Sequence, residues 1–258
     1  MKPLLHTVAV PSILLAWFLA PASAHAAPCP TSTQSLYGWY GLLVSGTTIN
    51  VGPKYLAGAI LFDGAGSLQG SNIYGSAGAD NPVTGTYVVN ADCTLTLTMT
   101  IGSTAAQVYT VAIKTSNEAV GIEVDSSAVA TIDLQAQYAT YTSGLNFNIG
   151  SANGLFTGVC YGPAAASSDL NIVTFANGTL TGTDPYNNGG SYQVSNNPYS
   201  GTYTVNSDGT FSGTLVVDGT SFDYYGVISN GGAEVEYFYT YVSAGAPSDA
   251  FESCVAKL

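Results

Sequence analysis

Apolar and polar residues alternate with a period of two along much of the chain. Leu95, Leu97 and Met99 alternate with threonines, so these apolar side chains share one face of an extended strand. Turn-forming pairs such as Asp63-Gly64 and Asp208-Gly209 recur at intervals of about 8–12 residues. No segment keeps the longer period of an amphipathic helix. The pattern therefore predicts an all-β protein built from short antiparallel strands.

The alternating pattern occurs twice. Residues 84–100 read TGTYVVNADCTLTLTMT and residues 200–216 read SGTYTVNSDGTFSGTLV, with eight identical positions. Matching segments lie about 113 residues apart, which is too long for a solenoid repeat and suits duplication of a whole small domain. Sequential hairpins and glycines on apolar strand faces favour a barrel. We therefore predict duplicated antiparallel up-and-down β-barrel units, with a tandem β-sandwich as the alternative.

The first residues have the features of a signal peptide. A basic start at Lys2 precedes the apolar run Val8–Leu19, and small residues before Ala26 fit a signal-peptidase site. The apolar run is too short to span a bilayer. We therefore predict a signal peptide at residues 1–26, no transmembrane segment, and a secreted or periplasmic protein.

The two repeats divide the rest of the chain. The first barrel repeat is assigned to residues 27–161 and the second, shorter repeat to residues 162–258, with a polar, small-residue linker beginning at Gly162. The strand Leu155–Tyr161 has two interpretations. Either it supplies the first strand of the second repeat, or the two repeats form one continuous structure.

Two motifs resemble a known group of proteins. Phe62–Gly70 reads FDGAGSLQG and Gly85–Thr94 reads GTYVVNADCT. In combination they resemble small exported bacterial β-barrel proteins, which are similar in outline to lipocalin, avidin and allene-oxide-cyclase-like barrels. The second repeat departs from the pattern at Ala176 and Gly209. The resemblance implies a barrel fold and export, and it implies no catalytic residue.

The charge of the chain excludes several partners. Both histidines lie within residues 1–26, and arginine is absent. The rest of the chain has sixteen acidic residues and only three lysines, Lys54, Lys114 and Lys257. Removal of Lys2 with the signal peptide changes the formal charge from −12 to −13. Nucleic acid and anionic lipid are therefore excluded, because both require a basic patch.

The same inventory argues against an enzyme. Hydrolases of the Ser-His-Asp and Cys-His types and histidine metal sites all need an imidazole. Glu234 and Glu236 lie two residues apart on one strand, so both side chains point to one face about 7 Å apart. We interpret them as an exposed acidic face, with a glycosidase-like pair as the alternative. No catalytic residue, metal ligand or cofactor is predicted.

Four cysteines in an exported protein predict two disulfide bonds. The sequence leaves three connectivities open. We favour Cys29–Cys93 and Cys160–Cys254, since each bond then stays within one half of the chain.

Aromatic residues provide the remaining candidates for a binding site. The chain has 18 tyrosines, whose apolar ring and polar hydroxyl suit either a ligand cavity or core packing. The candidate ligand-binding residues are Trp39, Tyr87, Tyr203, Tyr224, Tyr237 and Tyr239. The favoured function is non-enzymatic binding of a small, largely apolar or aromatic ligand. The alternative is a structural or adhesive surface protein that self-associates through strand edges.

Overall fold

A computed structural model describes residues 32, 36–75, 79–138, 146–162, 167–188, 191–241 and 251–258. Within these residues the chain forms two closed barrels, each with eight antiparallel strands in sequential order. The predicted duplication of an up-and-down β-barrel is confirmed, and the alternative of a tandem sandwich is wrong.

The first barrel comprises eight sequential strands. They are β1 (Tyr37–Thr48), β2 (Gly52–Asp63), β3 (Ser67–Gly75), β4 (Pro82–Val89), β5 (Thr94–Ile101), β6 (Gln107–Thr115), β7 (Glu118–Glu123) and β8 (Ala128–Ala136). Strand β8 pairs with β1 along nine residues of each strand, from Tyr40 opposite Ala136 to Thr48 opposite Ala128, and so closes the sheet.

The second barrel follows the same plan. Its strands are β9 (Gly154–Gly162), β10 (Ser167–Ala176), β11 (Thr179–Asn188), β12 (Ser191–Val205), β13 (Thr210–Val217), β14 (Thr220–Ser229), β15 (Glu234–Tyr241) and β16 (Phe251–Lys257). Strand β9 obtains its hydrogen-bond partners from β10 and β16. It therefore supplies the first strand of the second barrel, and the boundary assigned at residue 162 moves to the segment between β8 and β9.

The doubled sequence forms the same hairpin at the same place in both barrels. The β4–β5 and β12–β13 hairpins join the fourth and fifth strands of their barrels. Asn90 N–H donates to Thr94 C=O and Asn206 N–H to Thr210 C=O, each at 2.8 Å. The residue directly before this threonine is Cys93 in the first repeat, with φ 70°, and Gly209 in the second, with φ 84°. The cysteine therefore occupies a left-handed position that favours glycine, and the second repeat has glycine at the equivalent position.

Alternation fills both interiors with apolar side chains. In β5, Leu95, Leu97 and Met99 are fully buried in the core of the first barrel, while the threonines between them point outward. Phe156, Phe175 and seven further buried aromatic side chains pack the core of the second barrel, namely Phe147, Phe211, Phe222, Tyr199, Tyr203, Tyr224 and Tyr237. Each barrel therefore has a packed interior and presents its outward-facing positions to solvent or to the other barrel.

One tyrosine in each repeat ties down the segment that precedes the barrel. Tyr87 donates its hydroxyl hydrogen to Leu36 C=O, just before β1, at 3.0 Å. Tyr203 donates to Ile149 C=O, in the short 3-10 turn before β9, at 3.1 Å. The tyrosine of the repeated GTYxV motif therefore closes one end of each barrel.

The closed sheets also bear on self-association. Every described strand pairs on both sides with a neighbour in its barrel. Among these strands no free edge is available, so the expected self-association through strand edges lacks its structural basis.

A disulfide bond joins Cys160 on β9 to Cys254 on β16, as predicted. The two residues lie directly opposite one another where the second barrel closes, and 94 residues separate them in sequence. Cys93 also takes part in a disulfide bond. Its predicted partner, Cys29, lies outside the described residues, so the Cys29–Cys93 pairing stays a prediction.

Replacing Cys160 and Cys254 together by alanine is expected to destabilise the second barrel by about 2–4 kcal/mol, since the bond restricts a long loop of the unfolded chain. Hydrogen exchange of backbone amides measures the effect separately in each barrel. Protection should fall in β9 and β16, while β1 and β8 of the first barrel serve as the internal control. An equal loss of protection in both barrels would contradict this expectation.

Candidate functional site

The two barrels pack side by side through their outer walls. We call this contact the inter-barrel seam; it joins β1, β2, β3, β7 and β8 of the first barrel to β13, β14, β15 and β16 of the second. A Cβ atom at Gly41 would lie 2.6 Å from Ser229 Oγ and 2.8 Å from Val227 Cγ1. The absence of a side chain at Gly41 therefore lets the barrels approach this closely. Ser253 Oγ donates a hydrogen bond of 3.1 Å to Ser45 Oγ across the seam.

One part of the seam is aromatic. The rings of Tyr74 and Tyr225 stack across it, with centroids 4.2 Å apart and planes 9° from parallel. Phe238 is fully buried between the barrels, and its ring centroid lies 5.0 Å from that of Tyr55. Burial of these rings with Leu43 fixes one barrel against the other.

The other part of the seam is acidic and buried. Val235 and Tyr237 point into the second barrel, so Glu234 and Glu236 point outward on the same face, as the alternation predicts. The outward face of β15 lies against the first barrel, however, and only 3% of Glu234 and 0% of Glu236 is exposed. The interpretation of this pair as an exposed acidic face is therefore wrong.

Two carboxylates at the seam, those of Glu234 on β15 and Glu118 on β7, form ion pairs with lysines. Lys257 Nζ lies 3.0 Å from Glu234 Oε1, and Lys114 Nζ lies 2.5 Å from Glu118 Oε1. The hydrogen bond from Lys114 lowers the pKa of Glu118. Both carboxylates therefore have a basic partner, and the lysines are already engaged.

Glu236 and Asp133 lack such a partner among the described residues. Neither carboxylate oxygen of Glu236 has a hydrogen-bond partner. Burial, followed by the negative charges of Asp133 and Glu234, raises the pKa of Glu236 well above that of an ordinary carboxyl. Burial also raises the pKa of Asp133, whose Oδ1 accepts a hydrogen bond from Gln135 Nε2 at 3.2 Å. The seam therefore holds two carboxyl groups that are costly to ionise.

A groove of about 500 Å³ opens between the barrels beside these acids. Its walls are mostly apolar and come from the outer face of the first barrel together with β16 of the second. The lining includes Leu43, Ala112, Val120, Ile122, Asp133 and Val255. The volume falls within the range of small-molecule sites, and one carboxyl group interrupts an otherwise largely apolar surface.

The mouth of the first barrel contains a second, smaller pocket. This pocket has a volume of about 280 Å³ and lies at the end of the barrel that is far from Leu36. Lys54 and Gln107 are among the residues that line it. Lys54 Nζ donates to both carboxylate oxygens of Glu123, at 2.5 and 2.7 Å, and the pair is buried. Burial, together with the neighbouring Asp125, raises the pKa of Glu123 despite the contact with Lys54. Because the two charges compensate each other, this pocket offers no free charge to a ligand.

Most of the predicted ligand-binding aromatics lie in the two cores. Tyr87 packs in the first barrel, and Tyr203, Tyr224 and Tyr237 pack in the second. The hydroxyl group of Tyr224 donates to Thr202 C=O at 3.1 Å.

The other two candidates are only partly buried. Tyr239 packs against the second core, and Trp39 lies on the outer wall of the first barrel. None of the six lines the groove or the mouth pocket. Their assignment as ligand-binding residues stays a prediction.

Sequence reasoning did not select Asp133 or Glu118. Asp133 lies between Ile132 and Leu134, which point inward, so alternation alone places its side chain on the outer wall. Which part of that wall the second barrel covers depends on tertiary packing. Glu123 and Glu236 lie at equal offsets in the two repeats, yet Glu123 points into its barrel and Glu236 away from its own. The difference arises because a β-bulge between Ile113 and Thr115 shifts the register of the β6–β7 hairpin by one residue, whereas the β14–β15 pairing is regular.

The described part of the chain shows neither a metal site nor a membrane-spanning helix. No group of three or more acidic, histidine or cysteine side chains there is arranged to hold a metal ion. No helix among those residues is long and apolar enough to cross a membrane.

No protein-family model and no curated protein matches the sequence. Among solved structures, the chain is similar to Rv2717c from M. tuberculosis, with 10% identity, coverage of 86% of this chain and 92% of that chain, and a TM-score of 0.22. It is also similar to transferrin binding protein B from Neisseria meningitidis, with 9% identity, coverage of 79% and 65%, and a TM-score of 0.31. A variant of that protein from Haemophilus parasuis gives 9% identity, coverage of 86% and 75%, and a TM-score of 0.24. At these TM-scores the likenesses carry no argument about function, and the resemblance to exported bacterial barrels stays a prediction.

The buried acid of the seam makes stability depend on pH. A carboxyl group with a raised pKa keeps its proton in the folded state at pH values where the unfolded chain has lost it. The free energy of unfolding is therefore expected to decrease as pH rises from the ordinary carboxyl pKa towards the raised pKa of Glu236. Urea unfolding between about pH 4 and pH 8 measures this decrease, which should be smaller in Glu236→Gln.

Glu118→Gln provides the matched control. Because its pKa is lowered in the fold, Glu118 stabilises the protein above its ordinary pKa, and its replacement should cost stability at neutral pH. Parallel pH profiles for the wild type and Glu236→Gln would show that Glu236 does not produce the dependence.

Proposed function

We propose that this chain is a secreted, non-enzymatic binding protein that holds a small, largely apolar ligand in the inter-barrel groove. The observation that carries the proposal is the groove itself, which has a volume of about 500 Å³ and a largely apolar surface formed by aliphatic side chains with serine and threonine residues among them. The described interiors of both barrels are packed with their own side chains, so they offer less room than the groove.

Several features support an extracytoplasmic binding role. The disulfide bond between Cys160 and Cys254 is typical of proteins outside the reducing cytoplasm. Ile122 is 57% exposed on the wall of the groove, although an isoleucine gains free energy when it is covered. An apolar ligand would cover this surface without any change in the fold.

Filling the groove should abolish binding of an apolar probe such as Nile red. Ala112 is exposed on the groove wall, so Ala112→Trp places an indole in the binding volume without disturbing the core. We expect the affinity for the probe to fall by about tenfold or more, because the indole occupies space that the probe needs. Fluorescence titration measures the affinity.

Thr86→Trp is the control for this experiment. Thr86 is exposed on β4, away from the groove, and the variant adds the same ring to the same barrel. Equal affinities of Ala112→Trp and wild type would place the probe elsewhere and contradict the proposal.

A structural or adhesive role is the second candidate, and it has its own observation. Four apolar side chains are 40–63% exposed on the outer face of β9 and β10, namely Leu155, Val159, Tyr161 and Leu170. Val159 and Leu170 lie directly opposite one another in the sheet, and Tyr161 is the next outward residue of β9, so these three side chains form a strip; Leu155 lies beyond Thr157 on the same face. Strips of this kind occur where two protein surfaces associate.

Under this alternative the strip mediates self-association. Val159→Lys combined with Leu170→Lys should then convert an oligomer into a monomer, because charge on the strip opposes its burial. Analytical ultracentrifugation measures the mass. Val88→Lys combined with Val129→Lys introduces two lysines at other exposed positions as the control. A wild-type protein that stays monomeric at high concentration would count against this role.

A further inference from the structure

The acids of the seam are not matched by the bases around them. Four carboxyl groups lie there, belonging to Glu118, Asp133, Glu234 and Glu236, and two lysines lie among them. Glu118 and Glu234 each have a lysine within ion-pair distance. Asp133 and Glu236 interact with each other electrostatically and have no ion pair among the described residues. The seam therefore has a deficit of positive charge at these two residues.

One of the unmatched acids lines the groove, and the other lies behind a residue of its wall. Asp133 lines it directly. Glu236 lies opposite Val255 in the β15–β16 pairing, and Val255 is also part of the lining. The Glu236 side chain is fully buried, and neither of its carboxylate oxygens has a hydrogen-bond partner in the described part of the chain. Buried polar groups are usually hydrogen-bonded, so this exception requires a physical explanation.

We infer that the inter-barrel groove binds an apolar ligand that carries a protonated amine, with the ammonium group against Asp133. The apolar body of the ligand would lie along Ala112, Val120 and Ile122, the groove residues of β6 and β7. This inference rests on the proposed function, because it assigns a chemical class to the ligand of the same groove.

The electrostatics of the site favour this class over others. A charge-assisted hydrogen bond from an ammonium group to a partly buried carboxylate is stronger than a neutral one. Burial makes both groups costly to ionise, and the negative charge of Glu234 adds to that cost for each of them; a ligand cation would offset this negative charge. A carboxylate ligand would add to it. The formal charge of −12 over the whole chain attracts cations and repels anions at long range.

Binding of an amine should depend on pH in a defined direction. The groups that face Asp133 are Glu118 on β7, Lys114 on β6, Glu234 and Glu236 on β15 and Lys257 on β16. Burial raises the pKa of Asp133, so its carboxyl group loses its proton at a higher pH than an ordinary carboxyl group does. As pH rises through that pKa the carboxylate forms while an aliphatic amine keeps its proton, and affinity for the amine increases.

Three probes with one carbon skeleton test the inference. Binding of 4-phenylbutylamine, 4-phenylbutanol and 4-phenylbutyrate to the purified protein is measured by calorimetry at about pH 5 and about pH 8. At the higher pH the amine should bind about tenfold more tightly than the alcohol, and the carboxylate should bind most weakly. Asp133→Asn should remove the preference for the amine while affinity for the alcohol stays unchanged. Glu118→Gln, which changes a carboxylate that already has a lysine, should retain the preference.

The outcomes separate the two proposals. Equal affinities for the amine and the alcohol in the wild type would overturn the assignment of an amine, while binding in the groove would stand. If none of the probes binds, the proposed function fails as well. The pH dependence uses the wild type alone, so it decides the question even if Asp133→Asn does not fold. An amine preference that does not increase with pH would then count against a role for Asp133.

Discussion

Closure of each sheet by backbone hydrogen bonds is the interaction on which the rest of the molecule depends. β8 returns to β1 and β16 returns to β9, so each barrel satisfies its own strand edges. Closure also defines an inside and an outside for every strand. Apolar side chains fill the interior positions. The outward-facing residues are not needed for the core, and in this chain they form the contact between the barrels and line the groove.

The fold could be predicted from the sequence because its determinants are local. The period-two pattern of β5 gives its inward face directly, and the recurring Asn-x-Asp turns give the hairpins. The repeat revealed the duplication, down to the left-handed conformation of Cys93 opposite Gly209. Strand β9 was harder to assign, because its place depends on pairing with β16, almost a hundred residues away.

The site could be predicted only in part, because it depends on which outer walls meet. Alternation placed Glu234 and Glu236 on one face, and this was correct. It could not indicate that the first barrel covers that face. Because of this cover, Glu234 and Glu236 are the most deeply buried acids of the seam, although the strand pattern alone suggests exposure to solvent. The aromatic residues that composition emphasised pack mainly within the barrels, whereas the lining of the groove consists of common small and branched residues that composition does not distinguish.

The disulfide bond has a mechanical consequence. Cys254 on β16 is linked to Cys160 on β9, and these strands are the last and the first of their barrel. A pulling force applied beyond the C-terminal end of β16 passes through the sulfur atoms to β9 before it can load the hydrogen bonds between the other strands. Peeling of the strand from its C-terminal end therefore stops at Cys254. Under tension the second barrel would therefore behave as a covalently closed ring.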